Sequence, residues 1–152
     1  MIRKTNGLGP LYEGSQTLDI VETLTSSAVA DSTTVLIKCG AMLSKELVHA
    51  MTTRDPVDRL KILEKTLADT RALRSAASKI PDDTLTDYAW SAVCAWWSFA
   101  IKYGVGALKN HGDVGSTTRE STLAKFDLLI RFLRVEIAKT KMELSKSKHG
   151  KK

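Results

Sequence analysis

YAWSAVCAWWSFAI, running from Tyr88 to Ile101, is fourteen residues without a charge and contains all three tryptophans of the chain. An ordinary surface helix carries one apolar stripe and one polar face. Here only Ser91 and Ser98 interrupt a surface that is apolar nearly all round. At 1.5 Å per residue such a helix spans about 21 Å, short of the roughly 30 Å hydrocarbon core of a bilayer. Asp87 and Lys102 bound its ends. The stretch therefore reads as the central helix of a packed bundle or as a segment lying in a membrane interface. Trp90, Trp96, Trp97, Phe99 and Ile101 are its candidate contacts with lipid or a partner.

Working outward, every flanking segment also reads as helix. Leu18, Val21, Leu24 and Ala28 recur at helical spacing over Thr17 to Ala30. Asp31 offers an N-cap for a second helix to about Met51, with Val35, Leu36, Cys39, Met42, Leu43, Leu47 and Ala50 as its apolar set. Arg54-Asp55-Pro56 is the sharpest boundary. Asp55 can cap, Pro56 fits the first helical position and Asp58 suits the positive end of the dipole. The helix it opens runs to about Lys79. It buries Leu60, Leu63, Leu67, Leu73 and Ala77, and turns Lys61, Lys65 and Lys79 outward. Ile80 to Asp83 breaks the chain, and the Trp-rich helix follows to about Leu108. Gly104, Gly106, Gly112 and Gly115 mark a loop before Thr117-x-x-Glu120, a capping box. The last helix repeats Leu123, Phe126, Ile130, Leu133, Ile137, Thr140 and Leu144 in an a/d pattern. A second strip, Leu128, Phe132, Val135 and Met142, lies on its far side. A helix with two apolar faces meets its own core on one and a partner or membrane on the other.

The expected fold is all-α: an antiparallel bundle of four to five helices with a strongly apolar Trp-rich helix. Residues 1–16 form an irregular N-terminal segment, 17–145 the helical domain and 146–152 a basic, disordered tail. At 152 residues the chain is long enough to bury one core. A net charge of +6 suits a negatively charged partner, such as phospholipid headgroups, nucleic acid or an acidic protein. Two cysteines, Cys39 and Cys94, in apolar helical settings form no disulfide framework, and a reducing compartment is expected. The opening MIRKTNGLGPLYEGS has no apolar core and does not read as a secretory signal. Gly7, Gly9 and Pro10 also disfavour a mitochondrial presequence.

Catalytic residues must converge, and nothing in the spacing brings any together. His49, His111 and His149 are far apart in sequence and read as surface or capping residues. Cys39 and Cys94 read as small core residues. Gly104-x-Gly106 follows no strand and is no dinucleotide fingerprint. No cofactor, no metal site and no enzymatic activity is expected. Nucleic acid is not the favoured partner, because the tryptophans lie in an apolar run rather than among basic residues. Arg71 and Arg74 stand out in KTLADTRALRSAASKI. Arg74 falls inside the arc of Leu63, Leu67 and Ala77, with Arg71 at its edge. Each needs water, a carboxylate or a headgroup phosphate. For Arg74 the candidate carboxylates on another helix are Glu120, Asp127 and Glu136. Lys146, Lys148, Lys151 and Lys152 in the tail are further headgroup candidates.

Four segments together resemble the peroxin-11 family of membrane-shaping proteins of peroxisomes and glycosomes. These are LIKCGAMLSKELVHAM (Leu36 to Met51), KILEKTLADTRALRSAASKI (Lys61 to Ile80), YAWSAVCAWWSFAIKYGVGAL (Tyr88 to Leu108) and FDLLIRFLRVEIAKTKMEL (Phe126 to Leu144). Arg71, Leu73 and Arg74 fall on the family's basic pattern. The order of the segments carries most of the likeness, across Asp31 to Leu144. The chain departs from the family in its short spacer before the Trp-rich stretch and in ending on lysines, so it resembles a short, divergent member or a peroxin-11-like domain. The resemblance implies a non-enzymatic membrane protein of a peroxisome or glycosome, acting in remodelling or elongation and in self-association. The residues leave two other readings open. One is a structural subunit of a mitochondrial inner-membrane or other organellar complex. The other is a soluble helical module that binds RNA or an acidic protein.

Overall fold

The computed structural model describes residues 20, 23–24, 32–81, 86–95, 97 and 118–150. Among them four helices follow in order: α1 Ser32–Thr52, α2 Pro56–Ser78, α3 Asp87–Val93 and α4 Arg119–Gly150. The described residues contain no strand, and the fold is all-α. Of the helix expected over Thr17 to Ala30, Ile20, Thr23 and Leu24 are described. They are helical, with Ile20 and Thr23 buried. The glycine loop around Gly104 to Gly115, the Asp82-Asp83 recap, His111, and Trp96, Phe99 and Ile101 lie outside the described residues.

Local chemistry sets the helix ends. At the close of α1 the hydroxyls of Thr52 and Thr53 donate to the carbonyls of Val48 and His49 at 2.8 and 2.6 Å. Each hydroxyl reaches back one turn, and the His49 carbonyl takes the Thr53 N–H as well, at 3.1 Å. Asp55 then caps α2, its carboxylate accepting from the Asp58 N–H at 3.0 Å, with Pro56 leading the first turn. α3 is capped by Thr86, whose hydroxyl oxygen accepts from the Ala89 N–H at 3.2 Å. α4 is capped by Thr118, which accepts from the Ser121 N–H at 3.1 Å. The cap thus stands one residue after the expected Thr117. Glu120 remains in the first turn, where the helix dipole favours it.

α2 is the middle layer, packed against α1 on one side and α4 on the other. The three-residue joint from Thr53 to Asp55 makes α1 and α2 antiparallel neighbours. α4 also runs antiparallel to α2: Arg74 pairs with Asp127, Glu64 with Lys141 and Arg59 with Glu143, so one number falls as the other rises. Arg119, at the start of α4, reaches back to the end of α2. Its guanidinium donates to the carbonyls of Ser78 and Ile80 at 2.7 and 2.9 Å, a cation placed on the negative end of the α2 dipole. α3 packs against α1 and α4.

One apolar core joins the layers. α1 gives Leu36, Cys39, Leu43, Leu47 and Ala50, α2 gives Leu63, Leu73 and Ala77, and α4 gives Phe126, Leu129, Leu133 and Ile137. Each large side chain buried this way stabilises the fold by about 1.5–3 kcal/mol. The core face of α4 is turned slightly from the expected a/d row: Thr122 and Leu129 are buried, while Leu123, Ile130 and Leu144 are only partly covered.

Two expectations are corrected. The Trp-rich stretch is not one long helix as far as it is described, because α3 closes at Cys94. There the Ala95 N–H donates three residues back to Ala92, and the Trp97 N–H to Cys94. Tyr88, Trp90, Ser91, Val93 and Cys94 all belong to the weaker helix formers, so local propensity does little to carry the helix on. The second correction is the tail. α4 continues to Gly150, so 146–150 is helical rather than disordered. Lysine is a good helix former, and positive charge is favourable at a helix C-terminus.

Candidate functional site

The outer face of α4 carries the exposed part of the second apolar strip that the spacing predicts. At about 100° per residue, Arg131, Val135, Ala138 and Met142 fall within an arc of about 60°. Val135 is 48% exposed and Met142 60%, whereas Leu128 and Phe132, the rest of the expected second strip, pack against the core. Arg134 and Lys141 border this arc on one side, Lys139 and Lys146 on the other, and all four are exposed. Lys139 is held by Glu136 at 3.4 Å, and Lys141 stands 3.9 Å from Glu64. Arg131, Arg134 and Lys146 have no acidic partner among the described residues. The result is an apolar centre with a cationic border. Lys148 lies within α4, and Lys151 and Lys152 lie outside the described residues.

The arginines of α2 divide. Arg71 is exposed. Arg74 meets Asp127, one of the three carboxylates the sequence nominated, and its side chain is 35% exposed rather than sealed among leucines. The helix face turns enough to let the guanidinium reach the α2–α4 rim.

Trp90 and Trp97 are corrected as membrane or partner contacts. They are 1% and 2% exposed and belong to the chain's own core. Bundle packing takes up the bulky apolar faces that the sequence would also allow for lipid. Tyr88, on the opposite side of α3, is the exposed aromatic among the described residues of that stretch.

A second constellation lies between α1 and α2. The Lys65 ammonium donates to Glu46 of α1 at 2.8 Å and to Asp69, one turn along α2, at 2.7 Å. Asp69 is only 3% exposed. Oε1 of Glu46 is closed off from solvent without a hydrogen-bond partner. Burial, and next the hydrogen bond with Asp69, push the Glu46 carboxyl up to about 8 against the pull of Lys65. Burial draws the Lys65 ammonium down, but its bonds to Asp69 and Glu46 outweigh this and leave it raised. Helical periodicity alone does not display this cluster, because it puts Lys65 on a solvated face and assigns Asp69 no role. The signal was there: Asp69 stands three residues after Thr66 and four before Leu73, both buried.

Lys125 was also missed, although it sits between Thr122 and Leu129 on the core row. It is buried, and its ammonium donates to the Ser121 hydroxyl at 3.0 Å. Cys39 and Cys94 are buried free thiols. Burial raises both, Cys39 to about 11. His49 is exposed in the last turn of α1. Among the described residues no three His, Cys, Asp or Glu side chains gather as a metal site. No helix among them is long and apolar enough to cross a membrane.

No protein-family model, curated protein or solved structure matches this chain.

Proposed function

We propose that this chain is a non-enzymatic helical protein that lies on an anionic organellar membrane and helps to shape it, as the peroxin-11 resemblance implies. The observation that supports this reading is the outer face of α4, where exposed Val135 and Met142 stand beside Arg131, Arg134 and Lys146, which have no acidic partner among the described residues. A helix of this kind lies in the interface plane, its apolar strip at the acyl boundary and its cations among the headgroup phosphates. α4 is 32 residues, about 48 Å long, and ion pairs to α2 fix it along much of that length. A stiff rod entering one leaflet spreads that leaflet and bends it. The assignment concerns α4, with Trp90 and Trp97 holding the bundle behind it.

Vesicle co-sedimentation tests the reading. The native chain should bind vesicles containing phosphatidylserine and leave pure phosphatidylcholine vesicles alone. The double variant Val135→Asp, Met142→Asp should lose binding at unchanged helical content. Equal binding by native and variant chains would reject the assignment. If the variant instead sheds a co-purifying protein while vesicle binding is absent throughout, α4 is a subunit contact in an organellar complex.

A further inference from the structure

We infer that Glu46, Lys65 and Asp69 form a one-proton clamp between α1 and α2, which holds the two helices together while the proton is present and loosens when it leaves. Charge and access carry the inference. Two carboxylates share one ammonium, and one of them, Asp69, is almost wholly shielded from water. Oε1 of Glu46 is enclosed with no donor facing it. An ionised Glu46 would leave the cluster with one uncompensated negative charge and an unsolvated charged oxygen, an expensive arrangement in a water-poor site. A neutral Glu46 removes that charge, and its hydroxyl can serve the hydrogen bond it shares with Asp69.

The neighbours do not supply a second cation. Among the described residues, the charged groups acting on Glu46 are Lys65 and Asp69, both from α2. From α1, the Cys39 thiol lies near Asp69, and Lys38 acts on that thiol. The hydroxyls of Thr66 and Thr70 are turned away, donating to the carbonyls of Ile62 and Thr66 at 2.7 Å each. The clamp spans two helices, since Glu46 belongs to α1 and the other two members to α2. Releasing the proton therefore sets carboxylates of different helices against each other, with Leu43 and Leu47 of the core beside Glu46 on α1. The device is independent of membrane binding.

Amide hydrogen exchange of the full chain tests it. Exchange of α1 amides is read at each pH relative to the same amides in the urea-unfolded chain, so that base catalysis of exchange cancels. One proton released on opening should raise this ratio about tenfold per pH unit from pH 6 towards 8. Glu46→Gln, which keeps a neutral hydrogen-bonding group, should abolish the slope. Asp69→Asn, which leaves Glu46 alone with Lys65, should make the slope end at a lower pH. A flat ratio in the native chain would overturn the clamp, and so would an unchanged slope in Glu46→Gln. Should that variant fail to fold, a slope in Asp69→Asn ending where the native one ends would overturn it equally.

Discussion

Arg74 grips Asp127 with two parallel hydrogen bonds, Nε to Oδ1 at 2.7 Å and Nη2 to Oδ2 at 3.2 Å. This fork joins α2 to α4, and the Arg59–Glu143 pair at 2.7 Å repeats the join sixteen residues further along α4. A seam of leucines alone is indifferent to a slip of one heptad. Charged pairs at fixed positions are not, which is how such pairs specify register more than they stabilise.

Arg74→Leu should therefore cost little. Its side chain is 35% exposed and that of Asp127 50%, so both ions stay solvated when parted. Exposed pairs are worth roughly 0.2–1 kcal/mol. Urea unfolding of Arg74→Leu, Asp127→Asn and the double variant should give a coupling within that range. A coupling above about 2 kcal/mol would mean that the rim is drier than it looks.

Trp90→Ser and Trp97→Ser should each unfold or severely destabilise the chain, by about 3–5 kcal/mol, because each leaves a large cavity in a closed core. Circular dichroism should show helix loss at temperatures where the native chain is folded. Full helicity with loss of vesicle binding alone would put these rings on lipid after all.

The sequence made the all-α class legible because its periodicity is strong: the apolar row of α1 and the Asp55-Pro56 boundary stand in the structure where the spacing predicts them. The Trp-rich stretch was harder to read. Uniform apolarity carries no phase, so nothing in it says which rings face the core, and composition alone does not distinguish protein packing from lipid. The capping-box pattern points to Thr117, three residues before Glu120, whereas the backbone uses Thr118, whose hydroxyl takes the Ser121 N–H. The Glu46–Lys65–Asp69 cluster needs two helices to exist, so one-helix periodicity could not display it.

Glu46 should also make global stability pH-dependent. Burial, and next the hydrogen bond with Asp69, raise its folded pKa to about 8, from the ordinary carboxyl value of 4.5. Between those two values the folded chain holds a proton that the unfolded chain has lost. Stability must then fall as pH rises through that window, by up to about 1.4 kcal/mol per pH unit, and level off above it. Urea midpoints at pH 5, 6, 7 and 8 should decline for the native chain relative to Glu46→Gln. Parallel curves would show that this carboxyl is ionised in the fold at neutral pH.

Cys39 and Cys94 should resist alkylation. Burial raises both thiols, so little thiolate forms at pH 8, and neither sulfur is open to a reagent. Mass spectrometry after iodoacetamide at pH 8 should find both unmodified in the native chain and both modified in urea. Rapid labelling of Cys94 alone would show α3 opening on the timescale of the reaction.

The cations around the α4 strip should not count equally. Lys139 already spends its charge on Glu136, and Lys146 faces no acid among the described residues. A lysine near an anionic surface contributes about 1 kcal/mol, roughly a fivefold change in partitioning. Lys146→Gln should therefore weaken binding to phosphatidylserine vesicles about fivefold. Lys139→Gln should do less, since a charge leaving Glu136 for the surface uncovers a carboxylate there. Removing 146–152 should exceed the single change and flatten the salt dependence, because exposed charges are screened within about 8–10 Å at physiological ionic strength. Equal effects of Lys139→Gln and Lys146→Gln would show that net charge governs binding and that the pairing pattern along α4 does not.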